Sequence, residues 1–142
     1  MPKSIDIFVD GASRGNPGPS GIGVVFFDEN KNVVKRMFKF IGNTTNNIAE
    51  YAALIYGMQE ALIDRYEKVS VSSDSELMTR QLRGEYKVKN ENLRFYHEQF
   101  LHLSRGFDEV KIFTIGRKDN KEADRLANRA LDARVDSSLK LE

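Results

Sequence analysis

The sequence predicts an α/β protein built on a five-stranded mixed sheet, three antiparallel strands followed by parallel ones, with helices on both faces. Three observations carry that expectation. Short apolar stretches separated by turn residues open the chain, as in an antiparallel meander. At Ile48 the hydrophobic period changes from two to about 3.6. From there helical and strand patterns alternate, which is how right-handed crossovers return a chain to a parallel neighbour.

Ile5 to Asp10 reads as a buried strand, Gly21 to Asp28 as a second and Val33 to Ile41 as a third, with Glu29-Asn-Lys-Asn32 as a hairpin turn. After the amide-rich Asn43-Thr-Thr-Asn-Asn47, residues Ile48, Tyr51, Ala52, Ile55, Met58 and Leu62 recur at helical spacing and predict an amphipathic helix of about four turns. Lys68 to Ser73 is a short β-branched strand, and Asp74 to Leu82 a short helix ended by Gly84. Leu93, Tyr96, His97, Phe100 and Leu101 mark a helix after Asn90, a residue equally suited to cap it. Glu109 to Ile115 alternates as the last strand, and Asn120 to Ala133 is helical with Ala123, Leu126, Ala127, Ala130 and Leu131 as its apolar stripe.

The chain has 142 residues, which suits one domain with a substantial core, expected over residues 1–133 with a short tail at 134–142. No apolar run approaches the ~18 residues of a membrane span, so a cytoplasmic protein with no membrane partner is expected. There is no cysteine, which excludes disulfides and thiolate zinc sites and leaves oxygen ligands or the two histidines for any metal. Oxygen ligands suit magnesium or manganese. With 22 basic and 21 acidic residues the net charge is only +1, so overall charge does not argue for a nucleic-acid partner. The segment Arg80 to Arg94 is locally basic and carries Tyr86, which fits phosphate contact and fits a solvated face equally well.

Four acids fall near element ends: Asp10 after the first apolar run, Glu50 near the start of the first helix, Asp74 after the fourth strand and Asp124 early in the last helix. Each has an ordinary explanation. Asn47 to Glu50 has nearly the spacing of a capping box, Asp74 is placed to be an N-cap, and acids in first turns meet the helix dipole favourably. Asp124 fits least, because Ala127 and Leu131 follow at i+3 and i+7 and put its carboxylate at the edge of the buried stripe. Four acids converging on one sheet edge repel strongly unless cations sit among them. Two magnesium ions about 4 Å apart satisfy that demand, and such a pair serves phosphodiester cleavage.

Five blocks carry a family resemblance: Asp10-Gly-Ala-Ser-Arg-Gly-Asn-Pro-Gly-Pro-Ser-Gly-Ile-Gly23, Thr45-Asn-Asn-Ile-Ala-Glu-Tyr51, Ser73-Asp-Ser-Glu76, Gly84-Glu-Tyr-Lys-Val-Lys-Asn90 and Asn120-Lys-Glu-Ala-Asp-Arg-Leu-Ala127. In this order and at these separations the chain resembles type 1 ribonuclease H, over about residues 5 to 132. The resemblance implies a ribonuclease H-like fold, with residues 1–133 as the catalytic domain. It also implies an endoribonuclease that hydrolyses the RNA strand of RNA/DNA hybrids by two-metal catalysis, leaving 5′-phosphate and 3′-hydroxyl ends.

By the same resemblance Asp10, Glu50, Asp74 and Asp124 are the metal-binding, catalytic carboxylates for two Mg2+ or Mn2+ ions, with Asp10 bridging. Arg14, Asn16, Asn46, Asn47 and Glu76 match positions that touch the minor groove of the hybrid, where 2′-hydroxyls mark a strand as RNA. Thr45 and Asn16 match a pocket for a DNA phosphate, and Lys89 with Asn90 matches backbone contacts. A monomer acting on hybrid is expected, with duplex RNA left open as a second substrate. Two departures matter. The loop before Asp124 reads Gly116-Arg-Lys-Asp-Asn120, without the histidine many members carry there, which leaves Arg117 or Lys118 to substitute electrostatically; His97 and His102 lie in the preceding helix, the former at a packed flank and the latter at the surface. The chain also lacks the longer basic protrusion of some members between residues 81 and 93, so hybrid affinity is expected to be modest and sensitive to salt.

Overall fold

A computed structural model describes residues 3–134; the expected tail, from 135 onward, lies outside the described residues. The elements are β1 (Ser4–Ser13), β2 (Gly18–Phe27), β3 (Val33–Thr44), α1 (Asn46–Ile63), β4 (Lys68–Ser73), α2 (Glu76–Leu82), α3 (Glu91–Ser104), β5 (Glu109–Thr114), a 3-10 turn (Arg117–Asp119) and α4 (Lys121–Ala133). They form one five-stranded sheet in the order β3-β2-β1-β4-β5. β1, β2 and β3 pair antiparallel, while β4 and β5 continue parallel to β1, as the sequence predicts.

The strands are apolar on both sides because both sides are covered. Ile5, Ile7, Val9, Ile22, Val24 and Phe26 pack under α1 with Leu54, Met58 and Phe100 in one core. Val25 and Phe38 face the other way, against Ala123, Leu126 and Ala130 of α4, where Phe8 and Phe27 meet edge to face at 5.1 Å. A strand sandwiched in this way loses the period-two signal, which explains the continuous run from Ile22 to Phe27.

Several boundaries move, and the shifts bear on the acids. β1 does not stop at Asp10: it continues to Ser13, with Asp10 paired to Gly23, because the glycine-rich segment folds back as the β1–β2 hairpin. β3 runs on to Thr44, so Thr45 is the N-cap of α1 and accepts from the Ile48 amide at 3.3 Å. Glu50 therefore sits in the second turn of an 18-residue helix, and the capping box expected of Asn47 and Glu50 does not form. Ser75, not Asp74, caps α2 and accepts from the Met78 amide at 3.2 Å. Asn90 caps α3 as predicted, accepting from the amides of Asn92 and Leu93. Two of the ordinary explanations for these acids thus fail on geometry.

Candidate active site

Parallel pairing of β1 with β4 ends at Phe8 and Ser72, whereas β1 keeps its antiparallel partner β2 for five residues more. The sheet opens on that side of β1, and the acids meet in the opening. Asp10 stands on the central strand, Glu50 descends from α1, and Asp74 follows the last residue of β4. One carboxylate oxygen from each of these three lies within 4.8 Å of the other two. Asp124 arrives from α4 on the opposite face and lines the same cleft as Asp10, close enough for its carboxyl to help raise that of Asp10. A cleft of about 270 Å³ holds all four, with Gly11, Asn46 and Arg117 in its walls.

Bare backbone brings the helices this close. A Cβ on Gly11 would lie 2.2 Å from the Ala49 carbonyl carbon and 2.4 Å from the Glu50 nitrogen. A Cβ on Gly23 would lie 2.2 Å from the Ala123 carbonyl oxygen. Each flanking helix rests directly on a strand, so Glu50 and Asp124 reach the Asp10 carboxyl from either side. Glycine at these two positions is required by the approach, as a side chain there has no space.

Charge confirms how crowded the acids are. Burial pushes the Asp10 carboxyl up to about 8, helped by the charge of Asp74, the hydrogen bond with Asp124 and the charges of Asp124 and Glu50. Burial likewise lifts Glu50 to about 7, and Asp74 adds to the rise; Ser75, the Arg117 charge and Asn46 oppose it. Only a cation or protons relieve such a cluster. Hard oxygen donors from three or four carboxylates, in a chain without cysteine, fit Mg2+ or Mn2+ well.

Asp124 departs from its expected partly buried place. It is exposed at the rim of the cleft, beside the buried Ala123 that rests on β2, and Asn128 Nδ2 holds it at 3.3 Å. The remaining residues fall into three groups. Asn16 Oδ1 accepts from the Asn46 amide at 3.1 Å and Asn46 Nδ2 reaches Glu50 Oε1 at 3.4 Å, while Thr45, next to Asn46, is held as the cap of α1 by its bond from the Ile48 amide, so the three stand side by side next to the acids. Arg14 turns to α4, where Nη2 meets Asp132 at 2.5 Å and Asn128 at 3.4 Å. Asn47, Glu76 and Lys89 are exposed outside the cleft, with Glu76 paired to Arg80 at 2.9 Å.

Of the two basic residues considered in place of a loop histidine, Arg117 lines the cleft and Lys118 does not. His97 is half-buried, its Nε2 3.2 Å from the Gln81 carbonyl oxygen, and His102 is exposed; neither lines the cleft. Sequence reasoning missed Ser75, whose N-cap spacing to Met78 was legible, and the buried Asn120, whose partner lies too far along the chain to be read.

The family described as Reverse transcriptase-like matches residues 8–130. The chain is 38% identical to Ribonuclease HI of Halobacterium salinarum over 90% of its own length and 64% of that relative, and it spans 36% of a longer mycobacterial one. It is 34% identical to a Ribonuclease H of Pseudomonas fluorescens, across 93% of this chain and 95% of that one. Among solved structures, RNase H1 of Halobacterium salinarum superposes with a TM-score of 0.90 at 37% identity, covering 92% of this chain and 98% of that one. LC11-RNase H1, solved in complex with RNA/DNA hybrid, gives 0.88 at 39% identity over the same shares. Sheet order and acid cleft define a ribonuclease H-like protein. Within that class the chain belongs to the type 1 ribonuclease H family.

Proposed function

We propose that this protein is an endoribonuclease that cuts the RNA strand of RNA/DNA hybrids, using two divalent cations, Mg2+ or Mn2+, and leaving 5′-phosphate and 3′-hydroxyl ends. The observation that carries this reading is the set of carboxylate oxygens from Asp10, Glu50 and Asp74 within 4.8 Å of one another, with Asp124 against Asp10. The solved hybrid complex of LC11-RNase H1 supports the substrate. Residues 1–133 are the catalytic domain in this reading, acting as a monomer in the cytoplasm; among the described residues no helix is long and apolar enough to cross a membrane.

Water adds to phosphorus opposite the 3′ oxygen, the P–O3′ bond breaks and the 3′ oxygen takes a proton. Asp10, Glu50, Asp74 and Asp124 hold the cations. The bound cations supply Lewis acidity and neutralise the scissile phosphate. Gly11 leaves the cleft floor without a side chain, so a phosphate approaches the acids closely. Asn16, Thr45 and Asn46 orient the nucleic-acid backbone, while Arg14, Asn47, Glu76 and Lys89 extend contact beyond the cleft.

The test is cleavage of labelled RNA/DNA hybrid, duplex RNA and duplex DNA, each with Mg2+ or with chelator. Cutting of the RNA strand of hybrid in Mg2+ alone is expected. Binding without cutting, or cutting of duplex DNA, overturns the reading.

Arg117 stands where the family's loop histidine is missing, and a guanidinium offers donors in a planar fork and no acceptor, so it acts as a positive electrostatic group and not as a proton shuttle. Arg117→Ala is expected to lower turnover at least about tenfold, in keeping with loss of one electrostatic contact to developing charge. Lys118→Ala should leave turnover near wild type. Steady-state kinetics on hybrid at saturating Mg2+ separate the two, and equal behaviour of the variants would remove Arg117 from the site.

A further inference from the structure

Asn120 precedes α4 with its side chain only 1% exposed. Its Nδ2 donates to the Val9 carbonyl at 2.9 Å, across 111 positions of sequence. Its own carbonyl accepts from the Asp124 amide at 3.1 Å and closes the first turn of α4. One residue therefore grips the peptide just before Asp10 with its side chain and the turn that carries Asp124 with its main chain.

The manner of that grip is unusual. Asn120 occupies the N-cap position but makes no side-chain hydrogen bond to the helix, the service that Asn90 performs for α3. Its Oδ1 is buried and has no hydrogen-bond partner among the described residues. An unpaired buried carbonyl is costly and needs a reason. A leucine would fill nearly the same volume without the orphan, so the position is defined by its donor. Val9 lies one residue past the last β1–β4 pair, at the point where the sheet opens and no strand neighbour remains on that side to steady β1. The Asn120 amide steadies it there.

We propose that Asn120 is a positioning residue that sets the separation of Asp10 and Asp124 and thereby tunes cation affinity. The proposal rests on the reading of the acid cleft as a metal centre. It assigns Asn120 no contact with substrate or cation.

The test is Asn120→Leu, with Mg2+ titrated calorimetrically into chelator-treated protein and thermal melts in EDTA as the folding control. Melting without metal is expected to stay close to wild type. Mg2+ affinity is expected to fall about 10- to 100-fold, the range seen when a partner that orients a metal ligand is lost. In an Asp124→Asn background the same substitution should cost little further affinity, because the two act through one spacing. Unchanged affinity in Asn120→Leu, or a full additional loss in the Asp124→Asn background, overturns the proposal. If Asn120→Leu does not fold, Asn120→Ser is measured in the same way; failure of both to fold makes Asn120 a structural anchor and overturns it as well. Wild-type protein that binds no Mg2+ overturns the metal-centre reading and the proposal together, whereas normal binding by wild type and variants alike overturns the proposal alone.

Discussion

Asp10→Asn is expected to lower cleavage of RNA/DNA hybrid by about three orders of magnitude or more while leaving hybrid binding nearly intact. The substitution is almost isosteric, so β1 and its pairing with Gly23 remain. It removes the one carboxylate that faces all the others: Asp10 lies on the central strand, shares the three-acid cluster with Glu50 and Asp74, and shares the cleft with Asp124. No neighbouring acid is placed to replace it, since Glu50 and Asp74 come from one side of the opening and Asp124 from the other. Binding survives because Asn16, Thr45 and Asn46 are held by contacts that do not involve Asp10. Single-turnover cleavage and fluorescence anisotropy on the same labelled hybrid provide the measurement. A variant that cuts at the wild-type rate places the reacting centre elsewhere.

Metal-free protein is expected to lose stability as pH rises from about 5 to about 9, and Mg2+ is expected to restore it. The sign follows from the two raised carboxyls. Asp10 moves from 3.8 to about 8 and Glu50 from 4.5 to about 7, so the folded state holds protons that the unfolded chain has already released. Folding is favoured fully below the unfolded values, and that contribution is lost as pH climbs through the folded ones. At about 1.4 kcal/mol per unit of displacement the loss is of the order of several kcal/mol. Glu122 acts in the opposite sense at the acid end, because Arg125 and Arg36 hold its carboxyl down to about 2; its contribution disappears as pH falls below about 4 and is small, since the pairs are solvent-exposed. Cations compete with protons for the same oxygens, so the rise in melting temperature on adding Mg2+ should be larger at about pH 9 than at about pH 5. Melts in EDTA and in Mg2+ at both values are decisive: a metal-free profile that is flat or rises with pH contradicts the buried acid cluster.

The fold was legible because the chain changes period where it changes structure. The hairpin turn at Glu29 to Asn32, the helical spacing from Ile48 and the alternation after Glu109 each set an element within a few residues. Boundaries near the cleft were less legible. Gly11 to Ser13 look like loop, yet pair with β2, because glycine there answers to the approach of α1 and not to a turn. Asn47 looked like the cap of α1, but β3 delivers Thr45 to that position. The acids themselves were readable from their places at element ends. Their surroundings were not: the bond from Asn120 to Val9, the pairing of Arg14 with Asp132 and the turn of Arg117 toward Glu50 join distant segments and leave no local pattern. Lys89, read from its motif alone, stands apart from the acids.

The contacts at Gly11 and Gly23 give the cleft an unusual mechanical character. Where long side chains separate a helix from a strand, rotamer changes let the gap breathe; where backbone touches backbone, the gap is set by atomic radii and has almost no compliance. The spacing of the acids is then as stiff as the sheet itself, and warming should leave it unaltered until the whole domain gives way at once.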